Sequence, residues 1–106
     1  MSLDESRFAT LAAVRLDHLA EVLENAGFDV EAQGGVVTVE LEDGRQFVLN
    51  KHLPMRQIWL SSPVSGAWHY APDDEGRVWR ATKGGQELEA RLIEDFEKAT
   101  GRTVAF

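Results

Sequence analysis

The sequence predicts an α+β protein: a two-layer α–β sandwich with an N-terminal and a C-terminal helix packed on one face of an antiparallel sheet. Three observations lead there. Apolar residues recur at three- and four-residue steps near both ends of the chain and alternate in between, the two periods of amphipathic helices and half-buried strands. The alternating stretches are separated by short turn signals, so successive strands are antiparallel neighbours and both helices cover the same face. The chain has 106 residues, 43% of them hydrophobic, and no cysteine. That is the size of a single domain, spanning 1–106, whose core needs no disulfide staples.

From Ser6 to Ala26, the residues Phe8, Leu11, Ala12, Leu16, Leu19 and Leu23 form one apolar stripe of a helix, and Gly27 is its stop. Phe28–Ala32 alternates, with Asp29 and Glu31 opposed to Phe28, Val30 and Ala32, and ends at the turn Gln33-Gly34-Gly35. Val36–Glu42 alternates again, with Val37, Val39 and Leu41 on one side. Asp43-Gly44 signals a hairpin of the type I′ kind, in which both central residues take positive φ. Arg45–Asn50 and Arg56–Ser61 are read as the third and fourth strands. Ala67–Ala71 and Arg77–Ala81 are read as two more, joined across Asp73-Asp74-Glu75-Gly76. After Gly84-Gly85, the segment Gln86–Ala99 carries Leu88, Leu92, Phe96 and Ala99 at helical spacing, and Gly101 ends it. Val104 and Phe106 of the tail pack back on the body.

Charge narrows the function classes. The formal net charge is −7, distributed as −8 over residues 1–43, +3 over 44–84 and −2 over 85–106. Such a chain can show one face to cations and another to an acidic or neutral partner. No Lys/Arg run offers a nucleic-acid phosphate backbone a binding face, and no apolar run reaches membrane-spanning length. The N-terminus resembles neither a secretory signal nor a transit peptide. Without cysteine there is no thiolate zinc site, cysteine nucleophile or cysteine-held iron–sulfur cluster. No nucleophile elbow, P-loop, dinucleotide fingerprint or HExxH is present. Ser61 and Ser62 lack the oriented third group and oxyanion hole that a triad with His52 or His69 requires.

Two features remain. In Arg56-Gln57-Ile58-Trp59-Leu60-Ser61, parity places Ile58 and Leu60 toward the helices and Gln57, Trp59 and Ser61 on the open face. An outward tryptophan is either a contact site or a cover for neighbouring strands. On this reading Trp59→Ala leaves folding nearly unchanged. In the next strand Trp68 and Tyr70 are assigned to the core and His69 to the surface. The second feature is acidic. Asp17, Glu21 and Glu24 lie at i, i+4 and i+7 on one line of the first helix, and Asp29 and Glu31 share a face of the following strand. Such a row is either a solvated face or a weak, open site for a hard cation that prefers oxygen ligands.

The stretch Asn50 to Gly66, NKHLPMRQIWLSSPVSG, resembles the central signature of the frataxin family. The Phe8-x-x-Leu11-Ala12 helix, the Gly35–Leu41 strand, Tyr70 and the closing helix extend the resemblance over nearly the whole chain. It implies an iron-binding regulator or iron chaperone of iron–sulfur cluster assembly. Such a protein holds ferrous and ferric iron weakly on an acidic ridge and docks on the cysteine desulfurase and the scaffold protein. By position the ridge is Asp17, Glu21, Glu24, Asp29 and Glu31, extended by Asp4 and Glu5. The partner face is Asn50, Lys51, Gln57, Trp59 and Ser61, with His69 where the family carries a basic residue. The alternatives are a ferroxidase or iron-storage activity at the same ridge, against which the missing di-iron motif argues, and a metal-independent interaction module. The resemblance also implies a monomer, with iron-dependent oligomers as a variant, in a bacterial cytoplasm or a mitochondrial matrix. Departures from the family pattern are His52, read as a tolerated loop change, Ala67, His69 and Ala71 around Tyr70, and Asn25 and Ala26 where further acids would stand. A modest iron capacity follows from the last.

Overall fold

The computed structural model describes residues 4–106. Helix α1 (Glu5–Asn25) starts at Asp4, whose side chain accepts a hydrogen bond from the Arg7 N–H at 2.7 Å, the ordinary N-cap arrangement. It ends in a Schellman closure: the Phe28 N–H donates to the Leu23 carbonyl at 3.1 Å and the Gly27 N–H to the Glu24 carbonyl at 3.0 Å. The chain then runs through β1 (Asp29–Gln33), β2 (Val36–Glu40), β3 (Gln46–His52), β4 (Gln57–Ser62), β5 (Gly66–Pro72) and β6 (Trp79–Ala81) to helix α2 (Leu88–Thr100). The six strands pair in sequence order, every pair antiparallel. Helix and strand types agree with the sequence reading throughout.

The predicted stripes form the core. Phe8, Ala12, Leu16, Leu19 and Leu23 of α1 and Leu88, Leu92 and Phe96 of α2 are buried against Val37, Val39, Phe47, Leu49, Ile58, Leu60, Tyr70, Trp79 and Ala81 of the sheet. Phe96 stacks on Phe47 at 4.1 Å between centroids and meets Phe28 edge-on at 5.0 Å, so one α2 side chain joins that helix to the middle of the sheet and to the end of α1. Val104 is buried and Phe106 packs against the cluster, as expected of the tail. Tyr70 is fully buried, whereas Trp68, assigned to the core with it, is only partly so. Trp68 sits at the core margin, where the Arg91 guanidinium covers its ring at 4.4 Å.

Three local expectations change. The type I′ turn lies at Gly34-Gly35, where both residues have positive φ (61° and 81°). At Asp43-Gly44 only Gly44 does, with φ 89°. There the Gly44 N–H donates to the Leu41 carbonyl at 2.9 Å and the Leu41 N–H to the Arg45 carbonyl at 2.8 Å, the pattern of a three-residue loop closed by a bulge at the glycine. The last strand is shorter than expected because Asp73 Oδ1 accepts from the Arg77 N–H at 2.8 Å, holding Arg77 in the turn. His52, read as a loop residue, ends β3 and pairs with Gln57.

Tyr70 is the only tyrosine, and its phenol oxygen is buried without a hydrogen-bond partner among the described residues. Burial pushes its pKa up to about 12, with Asp95 adding to the rise and Arg91 opposing it. A group deprotonating at higher pH when folded than the unfolded value of about 10 contributes stability that is complete below the unfolded value and is lost as pH climbs through the folded one. The tyrosinate absorbance of the native protein should therefore titrate near 12. In concentrated urea it should titrate near 10, and coincident curves would show that the phenol is not buried.

Candidate functional site: the open sheet face and the acidic edge

Strand register fixes what the helix-free face displays. Gln33, Val36, Asn50, Trp59 and His69 form one row across five strands. The neighbouring row holds His52 and Gln57, and Ser61 lies on the other side of the Trp59 row opposite Val48 and Ala67. The structure thus brings Asn50, Gln57, Trp59, Ser61 and His69 onto one surface. Lys51 departs from this set. Its partner is Ile58, so its parity is that of the core face, and its side chain runs beside the first hairpin, where a Cβ on Gly35 would come within 3.0 Å of Lys51 Cε.

Trp59 is outward but not loose. His69, directly opposite, stacks on it at 4.2 Å with planes 9° apart, and His52, diagonal to it, stacks on the other face at 3.7 Å and 9°. The indole Nε1–H donates to Gln57 Oε1 at 2.8 Å. A tryptophan pinned on three sides is pre-organised, and ordering it on contact costs little. Trp59 therefore covers its neighbours and leaves its remaining edge on the open face. The role of His52 was missed because it depends on a diagonal cross-strand contact, which shows only once the β3–β4 register is known. The stack also changes the expectation that Trp59→Ala leaves folding nearly unchanged, since removing two stacked pairs costs about 1–3 kcal/mol.

The second half of the same motif points the other way. Ser62 Oγ donates to Asp95 Oδ2 at 2.7 Å and accepts the Val64 and Ser65 N–H groups at 3.1 and 3.2 Å. Ser65 Oγ also donates to Asp95 Oδ2, and it accepts from Trp68 Nε1 at 2.9 Å. Asp95 is fully buried, with Arg91 at 3.6 Å. Hence Gln57, Trp59 and Ser61 furnish a surface, whereas Ser62 and Ser65 tie the β4–β5 turn to α2.

Asp17, Glu21, Glu24, Asp29 and Glu31 are all exposed, but they do not lie together. Asp17, Glu21 and Glu24 flank a shallow groove of about 310 Å³ floored by Ala20, Val30 and Ala32. Asp29 and Glu31 have the opposite parity to Val30 and turn toward the open-face side of the edge strand. There Asp29 faces Glu40 directly, a like-charge pair that strand pairing alone would disfavour. Asp29 and Glu40 join Glu42 and Asp43 around a wider cleft of about 640 Å³ that Arg102 closes on one side. Glu40, Glu42 and Asp43 were not singled out from the sequence, although the alternation of β2 paired with β1 carries the signal. The Arg45 N–H and guanidinium, both bonded to Asp43, hold its carboxyl below the usual carboxylate range. Among the described residues, no three histidine, cysteine or acidic side chains converge as a metal site, and no helix is long and apolar enough to cross a membrane.

A family model for the frataxin-like domain matches residues 1–102. The iron-sulfur cluster assembly protein CyaY of Pseudomonas syringae is 35% identical over 98 residues, covering 91% of this chain and 87% of that protein. The CyaY protein of Vibrio campbellii is 34% identical over 104 residues, covering 96% and 97%. Among solved structures, frataxin from Psychromonas ingrahamii superposes with a TM-score of 0.86 at 25% identity, covering 96% of both chains. Trimeric yeast frataxin complexed with ferrous iron gives a TM-score of 0.75 at 32% identity, covering 96% of this chain and 90% of that one. The two helices on a six-stranded antiparallel sheet are the fold these structures share, and the chain belongs to the frataxin family.

Proposed function

We propose that this protein takes part in iron–sulfur cluster assembly as a binding and regulatory partner. It holds iron weakly as cargo on its acidic edge and docks through Trp59 on the cysteine desulfurase and scaffold. The observation that carries the docking clause is the His52–Trp59–His69 stack: a rigid aromatic anchor standing on the sheet face opposite α1 and α2. Relatives named for iron–sulfur cluster assembly support the process, and the ferrous complex of yeast frataxin supports the cargo.

The chemistry follows from the side chains. Asp17, Glu21 and Glu24 supply hard oxygen ligands on an open surface, with Asp29 and Glu31 beyond the strand edge. Ligands that are dispersed and fully hydrated bind a divalent cation loosely and release it readily. The same carboxylates attract a basic partner patch. With no cysteine of its own, the chain acts on a thiolate scaffold and does not hold a cluster through thiolates. Anaerobic ferrous titration followed by two-dimensional amide NMR tests the cargo clause. Broadening is expected at Asp17, Glu21 and Glu24 and along β1, and it should disappear in Asp17→Lys/Glu21→Lys. Unchanged spectra at millimolar iron would remove the clause and leave the Trp59 face as the functional surface.

A further inference from the structure

We propose that a water molecule is bound in the core between α2 and β5, held by Tyr70 Oη, Arg91 Nε and Asp95 Oδ1. These three atoms are shut off from solvent and have no hydrogen-bond partner among the described residues. Tyr70 and Asp95 are both fully buried. Burying a polar group without a partner is costly, and burying a charged one more so. Three such atoms together point to a ligand that satisfies them at once. Arg91 and Asp95 stand one turn apart on α2, with Arg91 Nη1 3.6 Å from Asp95 Oδ1, too long for a direct hydrogen bond. Both residues meet β5 at Trp68. The Arg91 guanidinium covers the Trp68 ring at 4.4 Å. Asp95 Oδ2 accepts from the Ser65 hydroxyl, which in turn accepts from Trp68 Nε1 at 2.9 Å. Tyr70 lies two residues beyond Trp68 in β5 and so shares its side of the strand. Asp95 and Arg91 are also the two charges that act on its phenol.

The donors and acceptors identify the ligand. Arg91 Nε–H only donates, an ionised Asp95 only accepts, and the Tyr70 hydroxyl does either. The Ser62 and Ser65 hydroxyls both donate to Asp95 Oδ2, which leaves Oδ1 as the remaining acceptor. A direct bond from the Tyr70 hydroxyl to Asp95 Oδ1 would still leave Arg91 Nε without a partner. A cation would be repelled by Arg91 and an anion by Asp95. A small neutral molecule that both donates and accepts satisfies all three: water accepts from Arg91 Nε and from the Tyr70 hydroxyl, and donates to Asp95 Oδ1. Three hydrogen bonds are the usual number for a buried water, and buried polar groups just too far apart to bond directly are where a bridging water sits. This water joins α2 to β5, the strand whose His69 stacks on Trp59.

The test uses two readouts on the full-length protein. In a high-resolution crystal structure, an ordered water should lie about 2.7–3.2 Å from Tyr70 Oη, Arg91 Nε and Asp95 Oδ1 alike. In solution, oxygen-17 relaxation dispersion should detect a long-lived water whose residence time shortens about tenfold in Tyr70→Phe, the rate equivalent of one lost hydrogen bond. That variant keeps the aromatic ring in the core, and circular dichroism checks that it is folded. Electron density showing the Tyr70 hydroxyl bonded directly to Asp95 Oδ1, or no solvent density within reach of all three atoms, would overturn the proposal from the wild type alone. An unchanged residence time in folded Tyr70→Phe would overturn it as well.

Discussion

Asp95→Ala should destabilise the protein by about 3 kcal/mol, the low end of what removing one partner of a buried charge pair costs. The reason lies in what Asp95 leaves behind. Two serine hydroxyls lose their acceptor, the Ser62 and Ser65 bonds that close the β4–β5 turn lose their anchor on α2, and Arg91 loses its counter-charge. Arg91 retains some solvent access, with 17% of its side chain exposed, which keeps the cost below that of a fully enclosed pair. For a domain of this length such a loss lowers the melting temperature by roughly 12–20 °C. Asp95→Asn preserves an acceptor for both hydroxyls and should cost less than half as much. Chemical denaturation of the two variants checks this, and equal, small losses would show that α2 is held by apolar contacts alone.

The second large effect separates the two faces of β4. Ile58 is fully buried, and Ile58→Ala should cost about 2–5 kcal/mol, the transfer and cavity terms of a core truncation. Trp59 is the next residue and far larger, yet Trp59→Ala should cost less than Ile58→Ala, about 1–3 kcal/mol for the loss of its stacking on His52 and His69. The inversion of size and effect is the signature of a strand whose alternate residues face core and solvent. Equal losses in the two variants would contradict the assignment of Trp59 to the open face.

Much of this was legible in the sequence because period and parity are local properties. The stripe Phe8–Leu23, the alternation of Val36–Glu42 and the opposition of Ile58 to Trp59 each follow from residues close together in the chain, and they agree with the fold. What escaped depends on partners distant in sequence. Asp95 sits in the apolar stripe of α2 between Leu92 and Phe96, and nothing nearby shows that two serines some thirty positions earlier satisfy it. His52 reads as a loop residue until the β3–β4 register places it on Trp59. The acidic row illustrates the converse. Spacing puts Asp29 and Glu31 on one face of a strand, which is correct, but only the register shows that this face turns away from Asp17, Glu21 and Glu24 and toward Glu40. Lys51 is separated from its neighbour Asn50 by the same rule of alternation, although the motif names them together.

The claim that the open face acts on cluster assembly is tested most directly by reconstituting assembly from a cysteine desulfurase, a scaffold, ferrous iron and cysteine, and measuring the initial rate of cluster formation with and without this protein. The account predicts that the wild type changes the rate and that Trp59→Ala, still folded by circular dichroism, loses most of that change. A Trp59→Ala protein that alters the rate as the wild type does would contradict it.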